Sequence, residues 1–575
     1  MGTGFTIDTP LRVARYGISS VLSLVDDVLI EQMRKYHCEA IGETYEEIGA
    51  KEEDSRARRI TAYLDLLNRL VKRQIANLKQ GSFDEDGELN RYFRMLPDSP
   101  LRKDYEAMLA CTDPKDRAQR QEALRSRIVA GSIDVNIMTK VDRDNYRGGE
   151  RLPAKFADAM AAFRGFAQST LHSAIVFSAG INARLYNYIS EFADFFPDEK
   201  GALRKKIVLK VSDYRSALIQ GKYLAKRGLW VSEFRIESGL NCGGHAFASN
   251  GYLMGPILEE FKHGRDELLD TLHGIYVKAL QKMGRKPVVD PHEMRVTVQG
   301  GIGTAAEDAF LLDYYQVDGT GWGSPFLLVP EAVRLDQEHL DKLCRATEAD
   351  VFLSPSSPLG VPFWNLRNSA SEENRRQRIA AGKPGSPCPK GYLSFDTEFT
   401  KQPLCTASRA YQKRKLTSLE TGGPAVNQVR ENVLAKSCIC HDLAGSATLP
   451  LGIDPEAKPA VCCGPNIVYF KQVATLEEMV DHIYGRKSLV NVDRPHVFIK
   501  ELSLYVDQLL VELEQLKMDL VPGTAKRLNE YKENLLAGVD YYQRLAEHLV
   551  EETRQRFLDD LGRLRAILEP ITING

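Results

Sequence analysis

Two glycine clusters and one group of cysteines are the residues whose types and spacing point to chemistry. The stretch VTVQGGIGTAAEDAFLLDYYQVDGTGWGSPF, residues 296–326, places each glycine cluster after a β-rich run. The first cluster leads into an Ala-rich helix expected to start near Thr304. Glycine lets backbone N–H groups approach an anion, and a helix N-terminus adds a favourable dipole. Two such loops from adjacent strands therefore predict a grip on one phosphate. The chain has no GxxxxGK[ST] segment and no GxGxxG after an early strand, which argues against P-loop and dinucleotide-binding readings.

Six of the ten cysteines, Cys388, Cys405, Cys438, Cys440, Cys462 and Cys463, fall in four segments of one Pro- and Gly-rich region. Four segments with a thiol each are what a four-thiolate site needs. The expected set is Cys388, Cys405, one of Cys438 and Cys440, and one of Cys462 and Cys463. His441 can replace a thiolate, and Cys242 can join a cluster lying close to the glycine loops. No pair has CxxC spacing, so a [4Fe-4S] cluster, structural zinc and unligated thiols all stay open.

Strand-like runs at 17–25, 132–141, 173–181, 206–211, 229–236, 294–301 and 315–323 alternate with helical stretches, the pattern of a parallel sheet. Seven runs are close to the eight of a closed (β/α)8 TIM barrel, with an open doubly wound sheet as the competing layout. In a barrel, ligands sit at the C-terminal strand ends, and phosphate sits on the loops after the last two strands. The expected division is a barrel start at 1–30, a helical insert at 31–130, the barrel proper at 131–330, an irregular cysteine-rich module at 331–497 and a C-terminal helical region at 498–575. In that last region Leu502, Val506, Leu509, Leu513, Leu516 and Leu520 keep helical steps and VPG at 521–523 breaks them. A helical pair is expected there, packed on its own chain or acting as a homo-oligomer seam.

Composition sets outer bounds. The 575 residues carry a formal net charge of −2, which gives no pull toward nucleic acid or anionic lipid. No run of uncharged apolar residues is long enough to span a membrane, and the N-terminus lacks a secretory signal, so a cytoplasmic protein with no membrane contact is expected.

In order, NCGGHAF (241–247), VQGGIGTAAEDAF and GTGWGSPF resemble the nitronate monooxygenase (2-nitropropane dioxygenase-like) family of FMN-dependent barrels. The resemblance covers about residues 130–330. It implies FMN with its phosphate on Gly300, Gly301, Gly323 and Ser324, the segment of Gly243 and Gly244 beside it, and His245 as catalytic histidine. Asn136 matches an asparagine that ends an early strand near FMN. Lys210 is similar to the strand-end lysine that FMN barrels place near the N1–C2=O edge of the flavin. ESGLNC before GGH departs from the family, as do the helical insert and everything beyond residue 330.

The expected function is an FMN-dependent oxidoreductase acting on a small-molecule or acyl-thioester substrate. His245 would move a proton while flavin N5 exchanges hydride, and a [4Fe-4S] cluster would relay electrons to a ferredoxin-like partner. An oxygen-dependent nitronate monooxygenase with structural zinc, and a non-catalytic electron-transfer or scaffold subunit, are the alternatives.

Overall fold

A computed structural model describes the chain except residues 1–2, 85, 242–249, 420–421, 491, 518–524 and 574–575. All seven strand-like runs form strands of one sheet: β1 Ser20–Ser23, β2 Ile133–Ile137, β3 Ala174–Phe177, β4 Lys206–Val211, β5 Val231–Glu237, β6 Arg295–Gln299 and β7 Gly319–Gly321. They pair in chain order, every pair parallel. Parallel neighbours need crossovers, and Asp158–Gln168, Tyr214–Ala225 and Met254–Lys282 supply three of them as helices.

The two faces of this sheet differ in chemistry. Val135, Ile175, Leu209, Phe234, Ile236, Val296 and Val298 point outward into the main apolar core, packed against the helices. Their alternate neighbours Asp134, Asn136, Lys210, Glu233, Arg235, Thr297 and Gln299 face an inner cavity. A slip of one residue would exchange these sets, so burial of the outward apolar residues fixes the register of each strand.

The sheet is a curled half-barrel rather than the closed eight-stranded barrel expected. Among the described residues no eighth strand joins β7 to β1. After β7 the chain turns into a short 3-10 helix, Ser324–Leu328, whose Pro325 has no N–H to offer a ladder. Contacts between residues 5–9 and 332–334 stand at the open edge instead. Thr9 Oγ1 donates to the Ala332 carbonyl (2.7 Å), Arg334 N to the Phe5 carbonyl (2.9 Å), and Arg334 pairs with Asp8. Phe5, Thr9, Phe326 and Val333 thereby line the inner cavity.

The helical insert divides between two cores. Its long helix Ser55–Gln80 packs on Asp158–Gln168, where a Cβ on Gly165 would lie 2.7 Å from Ile60 Cβ, so only glycine permits this approach. Later insert residues Tyr92, Phe93, Tyr105 and Met108 share a second core with Leu328 and with Leu343, Trp364 and Phe470 of the cysteine-rich region. That region is not loop-built as expected. It holds helices Gln337–Arg345, Ala370–Ala380, Arg409–Ser418, Pro424–Ala435, Ile439–Thr448 and Leu476–Ile483, and a two-stranded antiparallel sheet. The C-terminal pair is three helices, Val497–Lys517, Ala525–Leu545 and Glu551–Leu568. Leu502, Val506 and Leu509 are buried in the main core, so the chain itself covers much of the predicted stripe. Among the described residues no helix is long and apolar enough to cross a membrane.

Candidate functional site

The inner face of the sheet, from its N-terminal strand ends to its C-terminal loops, lines a cavity of about 910 Å³. Asn136 from β2, Lys210 from β4 and Gln299 from β6 line it. So do Gly300, Gly301, Gly323 and Ser324, which brings both glycine clusters to one space. Gly300 and Gly301 have φ of 109° and 81°, conformations that favour glycine. A Cβ on Gly300 would lie 3.0 Å from Asn241 N, and one on Gly301 would lie 2.5 Å from Leu240 Cδ1. Among the described residues the N–H groups of Gly300, Gly301 and Gly323 donate to no protein acceptor.

The opposite side of the first glycine loop is bound to the C-terminal half of the chain. Its carbonyls at Gly301, Ile302 and Gly303 accept from Arg494 Nη2 (2.6 Å), Asn466 Nδ2 (3.0 Å) and His482 Nε2 (3.0 Å). Thr304 caps the helix Ala305–Asp313 as predicted, its hydroxyl accepting from Glu307 N. The Glu307 carboxylate accepts from Gly303 N (2.9 Å) and Val497 N (2.7 Å) and pairs with Arg494 Nη1 at 2.6 Å. Burial opposes its ionisation, but Arg494 and those N–H groups keep its pKa below the ordinary carboxylate value. Ser324 is also engaged across the chain, its Oγ accepting from Gly464 N (3.1 Å).

Glu237, at the end of β5, organises the polar floor and was not among the predicted site residues. Its Oε1 accepts from Lys210 Nζ (3.1 Å), Asn241 Nδ2 (2.7 Å) and Gln299 Nε2 (2.6 Å). Its Oε2 is buried without a hydrogen-bond partner among the described residues. The signal that could have found it is period two: Glu233, Arg235 and Glu237 alternate with buried Phe234 and Ile236. Three further calls, His245, Gly243 and Gly244, lie outside the described residues, as does Cys242.

No family model and no curated protein matches the chain. Among solved structures, it is similar to the enoyl reductase domain of MlnA from the macrolactin biosynthesis cluster of Bacillus amyloliquefaciens, at 14% identity over 77% of this chain and 89% of that one. The TM-score is 0.33.

The cysteines separate into two places. Interaction with Cys405 and Cys438 holds the Cys388 pKa well below the ordinary thiol value and raises those of its two partners. The backbone N–H groups of Lys390 and Gly391 also favour the Cys388 thiolate, and that of Ala407 the Cys405 thiolate. Cys440 packs beside Cys405 in a small cluster with Val141, Leu393 and Ala407. Cys462 and Cys463 instead lie in the second apolar core with Val461 and Ile467, so the expected set with one of them as a ligand is not brought together. His441 faces carboxylates, with Nε2 3.2 Å from Asp454 Oδ2, and Asp442 raises its pKa. Among the described residues, no three Cys, His, Asp or Glu side chains are already gathered as an ion-holding group.

Proposed function

We propose that the chain is an FMN-dependent oxidoreductase whose flavin occupies the mouth of the half-barrel. One observation carries this reading: two glycine loops after the adjacent parallel strands β6 and β7 line the same cavity as Lys210 of β4, and their N–H groups have no protein acceptor among the described residues. A bound FMN would supply hydride exchange at its N5. Gly300, Gly301 and Gly323 would hold its phosphate by backbone N–H donation, with the Ser324 hydroxyl as a further donor. Lys210 would place a cation beside the ring edge that becomes negative on reduction, and Glu237 would hold that ammonium in position. Asn136 and Gln299 would present amides to the ring. His245 would move the substrate proton. The cavity volume of about 910 Å³ accommodates a flavin and a small substrate together. An activated C=C of the enoyl-thioester type, or a nitronate, is the substrate class. Electrons would arrive as hydride or singly from a ferredoxin-like carrier.

The test is anaerobic purification with flavin quantification, followed by FMN titration of the apoprotein. Near-stoichiometric FMN binding that is lost in Gly301→Val supports the reading. Absence of binding in the wild-type chain refutes it.

A further inference from the structure

The cavity extends beyond the glycine loops to the N-terminal ends of the strands. Lys206 and Lys210 of β4 both line it, and at roughly 3.3 Å of rise per residue they mark levels about 13 Å apart. The glycine loops and Lys210 lie at one end. At the other, the lining residues include Ser20, Ser132, Ser173 and Ala174. Bulky branched side chains fill the interior of a closed barrel, whereas these small ones leave the half-barrel open.

Donors at that end lack acceptors. The ladder sets the groups side by side, with Ser20 N donating to the Ser132 carbonyl and Lys206 N to the Ser173 carbonyl, each at 3.0 Å. The hydroxyls of Ser20 and Ser173 are buried without a hydrogen-bond partner among the described residues, and Ser173 is only 6% exposed. A buried hydroxyl left unbonded is destabilising, so a partner from outside the chain would relieve both. Lys206, exposed at the rim, pairs with no carboxylate among the described residues. Arg204 adds a second cation, its Nε donating to His172 Nε2 (2.7 Å) beside Ser173 and standing 3.6 Å from Asp194. The carboxylates facing the same space are largely engaged already. Asp134 Oδ1 accepts from Ser132 Oγ (2.6 Å) and Ala174 N (2.9 Å), and burial raises its pKa. Glu233 Oε1 accepts from Arg235 Nε (2.8 Å) and Thr297 Oγ1 (2.6 Å), and Asp318 pairs with Arg265. Glu293 remains, exposed at the rim, against the cations Lys206, Arg204 and Arg295.

We propose that the N-terminal end of the half-barrel binds a phosphate group, held by the Ser20 and Ser173 hydroxyls and the Lys206 ammonium. Unused donors with an excess of cationic side chains select an anion rich in acceptors. The donors come from β1, from the start of β3 and from β4, so they converge from separate strands. A tetrahedral oxyanion meets such a set with an oxygen for each, whereas a carboxylate offers two oxygens in one plane. The open interior leaves room for a small group esterified to that phosphate. This site is separate from the glycine loops and does not rest on the flavin reading.

The experiment is titration calorimetry of the full-length chain with inorganic phosphate and with glycerol phosphate, in parallel with Lys206→Gln, Ser173→Ala and Gly301→Val. Phosphate should bind the wild-type chain, at least fivefold more weakly in Lys206→Gln and at least threefold more weakly in Ser173→Ala, while Gly301→Val keeps this binding. Added sodium chloride should weaken it, as screening of the Lys206 charge requires. Ser173→Ala removes a hydroxyl that has no protein partner, so its Tm should equal that of the wild type, which separates loss of ligand from loss of fold. Glycerol phosphate binding at least tenfold more tightly than inorganic phosphate would identify an ester as the ligand, and equal binding would identify the free ion. No phosphate binding by the wild-type chain, affinity unchanged in Lys206→Gln and Ser173→Ala, or binding lost in Gly301→Val but kept in Lys206→Gln would each overturn the proposal.

Discussion

Replacing Arg494 by Met tests whether the buried ion pair holds the first glycine loop in place. Arg494 and Glu307 are 6% and 4% exposed, and the guanidinium also bonds the Gly301 carbonyl and Asn466 Oδ1. Met fills much of the same volume but leaves the Glu307 carboxylate buried with only backbone N–H donors. Breaking one side of such a pair costs about 3–5 kcal/mol. An unfolding entropy of about 2.1 cal/mol/K per residue gives roughly 1.2 kcal/mol/K for this chain, so the expected fall in Tm is about 2.5–4 °C. The double variant Arg494→Met/Glu307→Gln removes the stranded charge and should recover more than half of that fall. Scanning calorimetry at pH 7.5 reads both. A single variant that loses less than about 1 °C, or a double variant no better than the single, would refute the assignment of stability to this pair.

Three further outcomes follow from the same geometry. Glu501 is 1% exposed, accepts from Met254 N at 2.8 Å, and burial raises its pKa from 4.5 to about 8. Its contribution to stability is full below pH 4.5 and is lost as pH rises through 8, at up to about 1.4 kcal/mol per pH unit, so Glu501→Gln should match wild type at pH 5 and exceed it in denaturant midpoint at pH 9. Lys210→Met should keep FMN bound while lowering the flavin reduction potential and slowing reduction at least tenfold, read by anaerobic stopped-flow; an unchanged rate would remove Lys210 from the proposed chemistry. Gly323→Val should lower FMN affinity more than it lowers Tm, whereas equal losses would mean that the second glycine loop is structural.

The strands were legible because a parallel sheet needs β-rich runs that tolerate little else, and each of the seven runs contains a strand. Closure was not legible, since it fails at Pro325 and is replaced by long-range contacts between residues 5–9 and 332–334 that no local pattern encodes. Asn136 and Lys210 stood out as polar strand-end residues, and both do reach the cavity. Arg494 did not stand out, because its partners lie close to 190 residues earlier in the chain. Other helices of the cysteine-rich region escaped notice for a local reason: Ala370–Ala380 buries only Ser371 and Glu372, too few to set an apolar stripe. The adjacent Cys462 and Cys463 stood out as ligand types, and they lie in the second core beside fully buried Ala460, Val461 and Ile467.

The core shared by the late insert and the cysteine-rich region imposes an order on biosynthesis. Tyr92, Phe93 and Met108 leave the ribosome well before Leu343, Trp364 and Phe470, the side chains that cover them. At about 5–20 residues per second, an aromatic face waits tens of seconds without its partner. A chain stopped at residue 330 would never bury that face and would also lose Arg494, Asn466 and His482 from the first glycine loop, and should be recovered from cells with chaperones or in aggregates rather than as a free half-barrel.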